Sequence, residues 1–268
     1  MTESTSLDSG ATMTVYNYGN AKIHAYTGGP AANGTYIIEG QNSLVIVDAQ
    51  FLAPVAQEFR AYADALNKPI DRLIITHEHP DHWFGLGAFA DVAIYGSANT
   101  KAFLNEQGED ILKARGESMG ALPNYVPISH ILPQGGEVID GIRYNYLVYQ
   151  HAEADEQVVI LLPELKVILT GDLVYHNFYL ILEANGFDNW MNILASLKSF
   201  DYHLILPGHG LPSDASVLDD NIYYLQRAKD LYASASSAED FKEKMLILYP
   251  DLEGAFFWDL ILSRLYPN

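Results

Sequence analysis

The chain of 268 residues has no cysteine, few basic residues and no long apolar run. Without cysteine there are no disulfides and no thiolate ligands, so any metal must be held by nitrogen and oxygen. The same absence fits a reducing, cytoplasmic compartment. Lysine and arginine total 15 against 34 aspartates and glutamates, a formal charge of −19. So acidic a chain repels phosphate backbones and gives no footing to nucleic acid or an anionic membrane. A small anionic substrate is not excluded, because a bound dication can reverse the local field. No apolar run reaches the roughly 20 residues that cross a bilayer. The opening Met1-Thr2-Glu3-Ser4-Thr5-Ser6 lacks the basic and apolar regions of a signal peptide, and residues 1–12 read as a disordered leader.

What is present is a 49% hydrophobic composition, enough for one large domain or two small ones. Short β-like segments at residues 14–16, 22–26, 35–39 and 43–48 are separated by Gly and Asn turn formers. Residues 52–66 place Val55, Phe59, Tyr62 and Leu66 at helical spacing, and residues 72–76 read as a strand. The second half repeats this grammar, with strands at 141–150, 157–162, 166–170 and 203–206 and a helix at 189–200. Mixed strands and helices in two similar halves suggest a core of stacked sheets flanked by helices. From about Ser216 the pattern is helical to the end, so 213–268 reads as a C-terminal extension packed on that core.

The run Thr76-His77-Glu78-His79-Pro80-Asp81-His82 sets three imidazoles and two carboxylates into positions 77 to 82. So many ligands for borderline metals in one loop, directly after the apolar Leu73-Ile74-Ile75, point to a metal-dependent hydrolase. Of the nine histidines, His151 and His209 also fall just past strand ends, as does Asp172. His24, His130 and His203 carry no partner signal and read as structural residues.

In its order and spacing, His77-x-His79-x-Asp81-His82, then His151, then Gly171-Asp172, then Gly208-His209, the sequence resembles the metallo-β-lactamase superfamily over residues 13 to 212. The resemblance implies a four-layered αββα sandwich of the α/β class. It implies two metal sites, with His77, His79 and His151 holding the first, Asp81, His82 and His209 the second, and Asp172 bridging them. Asp48 matches an aspartate that steadies the histidine loop in this family. The donor set suits two zinc ions, and also iron, manganese or cobalt.

Such a pair would generate hydroxide at neutral pH for attack on a carbonyl, most simply that of a lactone, ester or thioester. Asp81 is the expected proton acceptor. Tyr175, three residues past Asp172, is the expected donor to the oxyanion, with plain packing as its alternative. Asp172 argues against β-lactams as the main substrate. A binding or regulatory protein that keeps its metal without turnover is the rival reading. The chain departs from common family patterns twice. Phe84 stands where many members have glycine, and would wall the pocket; His151-Ala152-Glu153-Ala154-Asp155 replaces a usual Ser/Thr-Pro-Gly turn. Glu153 and Asp155 read as a solvated turn, with ligand orientation or proton relay as the alternative. The apolar Phe256-Phe257-Trp258 and Leu260-Ile261-Leu262 suit a substrate-pocket lid, a homodimer interface or plain packing.

Overall fold

The computed structural model describes residues 2–267. Strands β1 (Thr2–Ser6), β2 (Thr12–Asn17), β3 (Lys22–Gly28), β4 (Asn33–Glu39) and β5 (Leu44–Val47) form an antiparallel meander. Helix α1 (Ala53–Ala65) follows, then β6 (Ile70–Ile74), the short α2 (Pro80–Trp83), β7 (Ile94–Gly96), α3 (Ala98–Ile111), the single turn α4 (Glu117–Met119) and β8 (His130–Ile131). β6, β7 and β8 extend the meander in parallel, so the first sheet runs β1 to β8 in chain order.

The second sheet holds β9 (Glu137–Ile139), β10 (Ile142–Gln150), β11 (Glu156–Leu162), β12 (Val167–Tyr175) and β13 (Leu204–His209). Helix α5 (Phe187–Leu197) crosses between β12 and β13, which therefore pair in parallel. The two sheets join at one backbone pair, His209 opposite Asn33. Helices α6 (Ser216–Ser234), α7 (Ala238–Leu248) and α8 (Trp258–Leu265) complete the chain.

Burial divides the sandwich into its layers. Ile23, Ile38, Val45 and Ile74 of the first sheet meet Tyr144, Ile160, Val167 and Leu206 of the second in one cluster. The opposite face of the first sheet, with Ile37, Ile46 and Leu73, packs on Phe59 of α1 and Leu104 of α3. The opposite face of the second, with Val159, Leu161 and Ile205, packs on Trp190, Leu225, Met245 and Ile261. Both sheets are thus covered on both faces, which is why β4, β5 and β12 are buried at every residue rather than at alternate ones. The resulting order is helices, sheet, sheet, helices, as expected.

One expectation changes. The leader is not disordered: Thr2–Ser6 pairs along β2, and Ser4 Oγ lies 2.7 Å from Thr14 Oγ1. Its five side chains are all exposed, so the strand rests on edge pairing rather than burial and leaves no hydrophobic signal in the sequence. The tail packs on the core as its outer helical layer. Trp258, Ile261 and Leu265 are buried in the outer helical layer, while Phe256 and Leu260 stay exposed.

Candidate metal centre

The site lies along the seam between the sheets. Asp48 follows β5 with a left-handed φ of 61°. Its two carboxylate oxygens accept from the Thr76 backbone N–H at 2.8 Å and the Thr76 hydroxyl at 2.9 Å, which fixes the start of the histidine loop. Asp48 Oδ2 also accepts from His82 Nδ1 at 2.8 Å. The Thr76 hydroxyl, its own proton given to Asp48, is free to accept from His77 Nδ1 at 3.0 Å. His209 Nδ1 donates to the Ala31 carbonyl at 2.7 Å. In their neutral forms all three rings therefore keep their proton on Nδ1 and turn a bare Nε2 to the centre. The role expected for Asp48 matches this geometry.

Pro80 opens α2 and places Asp81 and His82 in one turn. Asp172 sits within β12, where the register slips around Gly171. A Cβ at Gly208 would overlap the Asp172 carboxylate, so glycine there lets β13 approach the aspartate.

Two donor groups result. His77, His79, Glu153 and Asp172 form one, and Asp81, His82, Asp172 and His209 the other; within each the donor atoms lie within 4.8 Å of one another. His79 Nδ1 is 3.2 Å from Glu153 Oε2, and His77 Nε2 is 3.7 Å from Asp172 Oδ2. His82 Nε2 is 3.1 Å from Asp172 Oδ1, and His209 Nε2 is 3.1 Å from Asp172 Oδ2 and 3.3 Å from Asp81 Oδ2. Asp172 belongs to both groups.

These residues fit divalent ions on the chain's own terms. His82 Nε2, Glu153 Oε2 and Asp172 Oδ1 are buried without a hydrogen-bond partner, and all three belong to residues of these groups. Orphaned buried polar atoms are costly unless something completes them. Burial alone would lower the His209 pKa, but the Asp172 and Asp81 carboxylates raise it to about 10. His82 is raised well above its usual value in the same way, against burial, by Asp172, Asp81 and Asp48. In Asp81 and Asp172, burial pushes upward and is overruled by the neighbouring histidines, which hold both carboxyls well below the usual range. A field that draws protons onto two imidazoles also favours a dication.

His151 does not join the first group. It caps β10 with φ 55°, its ring is exposed, and it lines the rim of the cavity outside His79. The β10–β11 hairpin closes with Gln150 opposite Glu156, so residues 151–155 make a tight turn. His151 N–H donates to the Asp155 carbonyl at 3.0 Å, and its own carbonyl accepts from Asn189 Nδ2 at 2.8 Å. That backbone turns the His151 side chain out and the Glu153 side chain in, to zero exposure. Glu153 therefore takes the place expected for His151. The missing Ser/Thr-Pro-Gly turn was the sequence signal for it.

Tyr175 also differs from expectation. Its ring stacks on His209 at 4.7 Å and its hydroxyl donates to Asp172 Oδ2 at 3.1 Å. Burial, and then the Asp172 charge, raise its pKa well above the usual phenol value. It is 1% exposed, and its hydroxyl is engaged by the Asp172 carboxylate. Phe84 does not wall the pocket. It packs into the core beside Phe51 and Trp83, and the glycine the turn needs is Gly85, where a Cβ would overlap the Ala49 carbonyl.

Sequence reasoning missed three neighbours. Asn33 Nδ2 donates to Asp81 Oδ2 at 2.8 Å. Asn221 of α6 brackets the Tyr175 backbone, accepting from its N–H at 2.9 Å and donating to its carbonyl at 2.7 Å. Arg264 of α8 reaches Glu153 Oε1 at 3.4 Å, Glu183 Oε1 at 3.1 Å and His79 Nε2 at 3.2 Å. Only the helical phase of the tail bore on the last two, and it does not show which residue meets the site. The cavity outside His79 has a volume of about 570 Å³ and is lined by Glu78, Glu153, Asp155, Glu183 and Arg264 among others.

Residues 28–209 match the sequence profile of the metallo-beta-lactamase superfamily. The chain belongs to that superfamily. Among curated proteins it is 23% identical over 220 residues to a linear primary-alkylsulfatase of a Pseudomonas species, covering 66% of this chain and 41% of that protein. An alkyl/aryl-sulfatase of Saccharomyces cerevisiae is 22% identical over 187 residues, covering 56% and 29%. The chain thus spans less than half the length of these relatives. Among solved structures, a metallo-beta-lactamase from Pontibacter korlensis superposes with TM-score 0.61 at 18% identity, covering 84% of this chain and 99% of that one. The metallo-beta-lactamase FIM-1 from Pseudomonas aeruginosa gives 0.59 at 17%, covering 85% and 96%. At these identities the structures share a fold with this chain.

Proposed function

We propose that the chain is a two-metal hydrolase of an ester-like small molecule. The observation that carries this reading is the pair of donor groups sharing Asp172, with three buried atoms left unpartnered between them. His77, His79, Glu153 and Asp172 would hold one ion; Asp81, His82, His209 and Asp172 would hold the other. Divalent ions so held lower the pKa of water towards neutrality and polarise the bond to be broken. Zinc suits these donors, as do iron and manganese.

The protein's own groups divide the remaining work. Asp81 is partly exposed, and Asn33 donates to the oxygen that faces His209, which keeps the carboxylate oriented and anionic. In this reading Asp81 accepts the proton. Tyr175 and Asp48 fix ligands and touch no substrate.

A carboxylic ester, lactone or thioester is the first substrate class. A sulfate ester is the second, favoured by the alkylsulfatase names of both curated relatives. A β-lactam has only the shared fold of the structural neighbours in its favour. The test is purified protein assayed for bound metal and for hydrolysis of a lactone, a thioester, a 4-nitrophenyl carboxylate, an alkyl sulfate and a β-lactam. Metal at two equivalents with metal-dependent turnover of one ester class supports the proposal. Metal without turnover of any would favour a binding protein instead.

A further inference from the structure

We propose that Arg264 of α8 is a positioning residue for the first donor group, and that it couples occupancy of that group to docking of the C-terminal helix. The inference rests on the two-metal reading above. It concerns residues beyond position 209, where the superfamily match ends.

Glu153 is fully buried, and its two oxygens face different ways. Oε2 lies 3.2 Å from His79 Nδ1 and has no hydrogen-bond partner, whereas Oε1 faces Arg264 Nη1 at 3.4 Å. Apart from the site histidines, Arg264 is the one partner of this carboxylate among the described residues. A carboxylate at the tip of a tight turn, without backbone donors, would otherwise be free to rotate. Glu183 Oε1 lies 3.1 Å from the same Nη1 and helps hold the guanidinium there. Burial alone would lower the Arg264 pKa, but Glu153 and Glu183 raise it, so the cation persists at every relevant pH.

Arginine can only donate, so its contact with His79 requires Nε2 of that ring to accept. An ion on His79 Nδ1 would put the ring proton on Nε2 and end that acceptance. The guanidinium would then rest on the two carboxylates, with Glu153 shared between it and the first group. Ile261 and Leu265, on either side of Arg264 in the chain, are buried without exposure, so the arginine cannot withdraw while α8 stays docked. Whatever orders Glu153 thus orders α8, and the coupling runs equally in both directions.

The test uses the full chain stripped of metal, titrated with cobalt(II) against a chromophoric chelator, for wild type, Arg264→Met, Arg264→Lys and Glu183→Gln. Wild type should bind two ions. Arg264→Met should weaken one of them about 10- to 100-fold, the usual effect of removing an outer partner of a ligand, and alter that ion's visible absorption. The other ion should be unaffected. Arg264→Lys should recover part of the loss, and Glu183→Gln should give a smaller loss at the same ion, which keeps the test open if Arg264→Met folds poorly. Amide exchange in residues 258–265 should slow on metal loading in wild type and not in Arg264→Met. Two ions bound with wild-type affinity in Arg264→Met would overturn the role of Arg264 and leave the two-metal reading standing. Equal weakening of both ions would mark Arg264 as merely structural. A wild type that takes up no metal removes both proposals.

Discussion

Two residues that share one hairpin tip have opposite prospects. Glu153 is buried with an unpartnered oxygen in the first donor group, and His151 faces solvent at the cavity rim. Glu153→Gln keeps the volume and removes the charge, so it should cost at least about tenfold in affinity for one of two ions, with activity falling in parallel. His151→Ala should leave both affinities within about twofold. Metal counts by competition titration check this; the reverse pattern would restore His151 as the ligand. Tyr175→Phe is the companion case. The stacked ring stays, and Asp172 loses one donated hydrogen bond, which is worth roughly 1 kcal/mol in a buried setting. Because the phenol is buried, the expected change is a lower melting temperature and a modestly lower kcat, with KM unaffected. A large loss of kcat with unchanged metal content would instead place its hydroxyl at the substrate.

At the level of elements, the site depends on how closely strands approach each other. Gly208 has no room for a Cβ because Asp172 lies against it, with Gly171 backbone behind. Gly208→Ala must push β13 away from β12 or rotate the bridging carboxylate. Overpacking of this kind costs about 1–3 kcal/mol, and here it should also release metal from both groups, since Asp172 belongs to each. Thermal unfolding with a metal assay reads the two effects separately. The sequence shows this element-level logic unevenly. The strands, the histidine loop, Asp172 and His209 are legible because apolar runs and metal ligands at strand ends leave a direct local pattern. The turn after His151 is not, because which of its side chains points inward depends on a left-handed residue at 151 and on pairing across residues 150 and 156. Arg264 and Asn221 are illegible for a related reason: their targets are more than a hundred and some forty residues away in the chain, and only docking of α6 and α8 brings them there.

For the whole molecule, stability should vary with pH through a network far from the metal groups. His24 Nε2 lies 2.9 Å from Glu39, Tyr62 hydroxyl 2.8 Å from His24 Nδ1, and Lys68 Nζ 2.8 Å from Glu39. Burial pushes the Glu39 carboxyl upward, but the hydrogen bonds from Lys68 and His24 overrule it and hold the pKa at about 2 rather than the usual 4.5. A depressed carboxyl stabilises the folded state fully above its unfolded value and loses that contribution as pH falls from 4.5 towards about 2. Glu39→Gln should therefore lower the urea midpoint at pH 7 and flatten its decline across that acid window. A decline unchanged by the substitution would assign it to other carboxylates. Metal removal acts on the same global quantity from the other end. The two sheets share one backbone pair, His209 with Asn33, and both residues reach the second donor group through their side chains. Ions that bind only the folded chain tie the sheets together at that joint. At a hundred times their dissociation constant each would contribute about 2.7 kcal/mol. Chelation should lower the melting temperature, and stepwise return of metal should raise it in proportion to the logarithm of free metal. If the melting temperature ignores chelator, the joint is held by packing and backbone hydrogen bonds without metal, and the donor groups are not where metal binds.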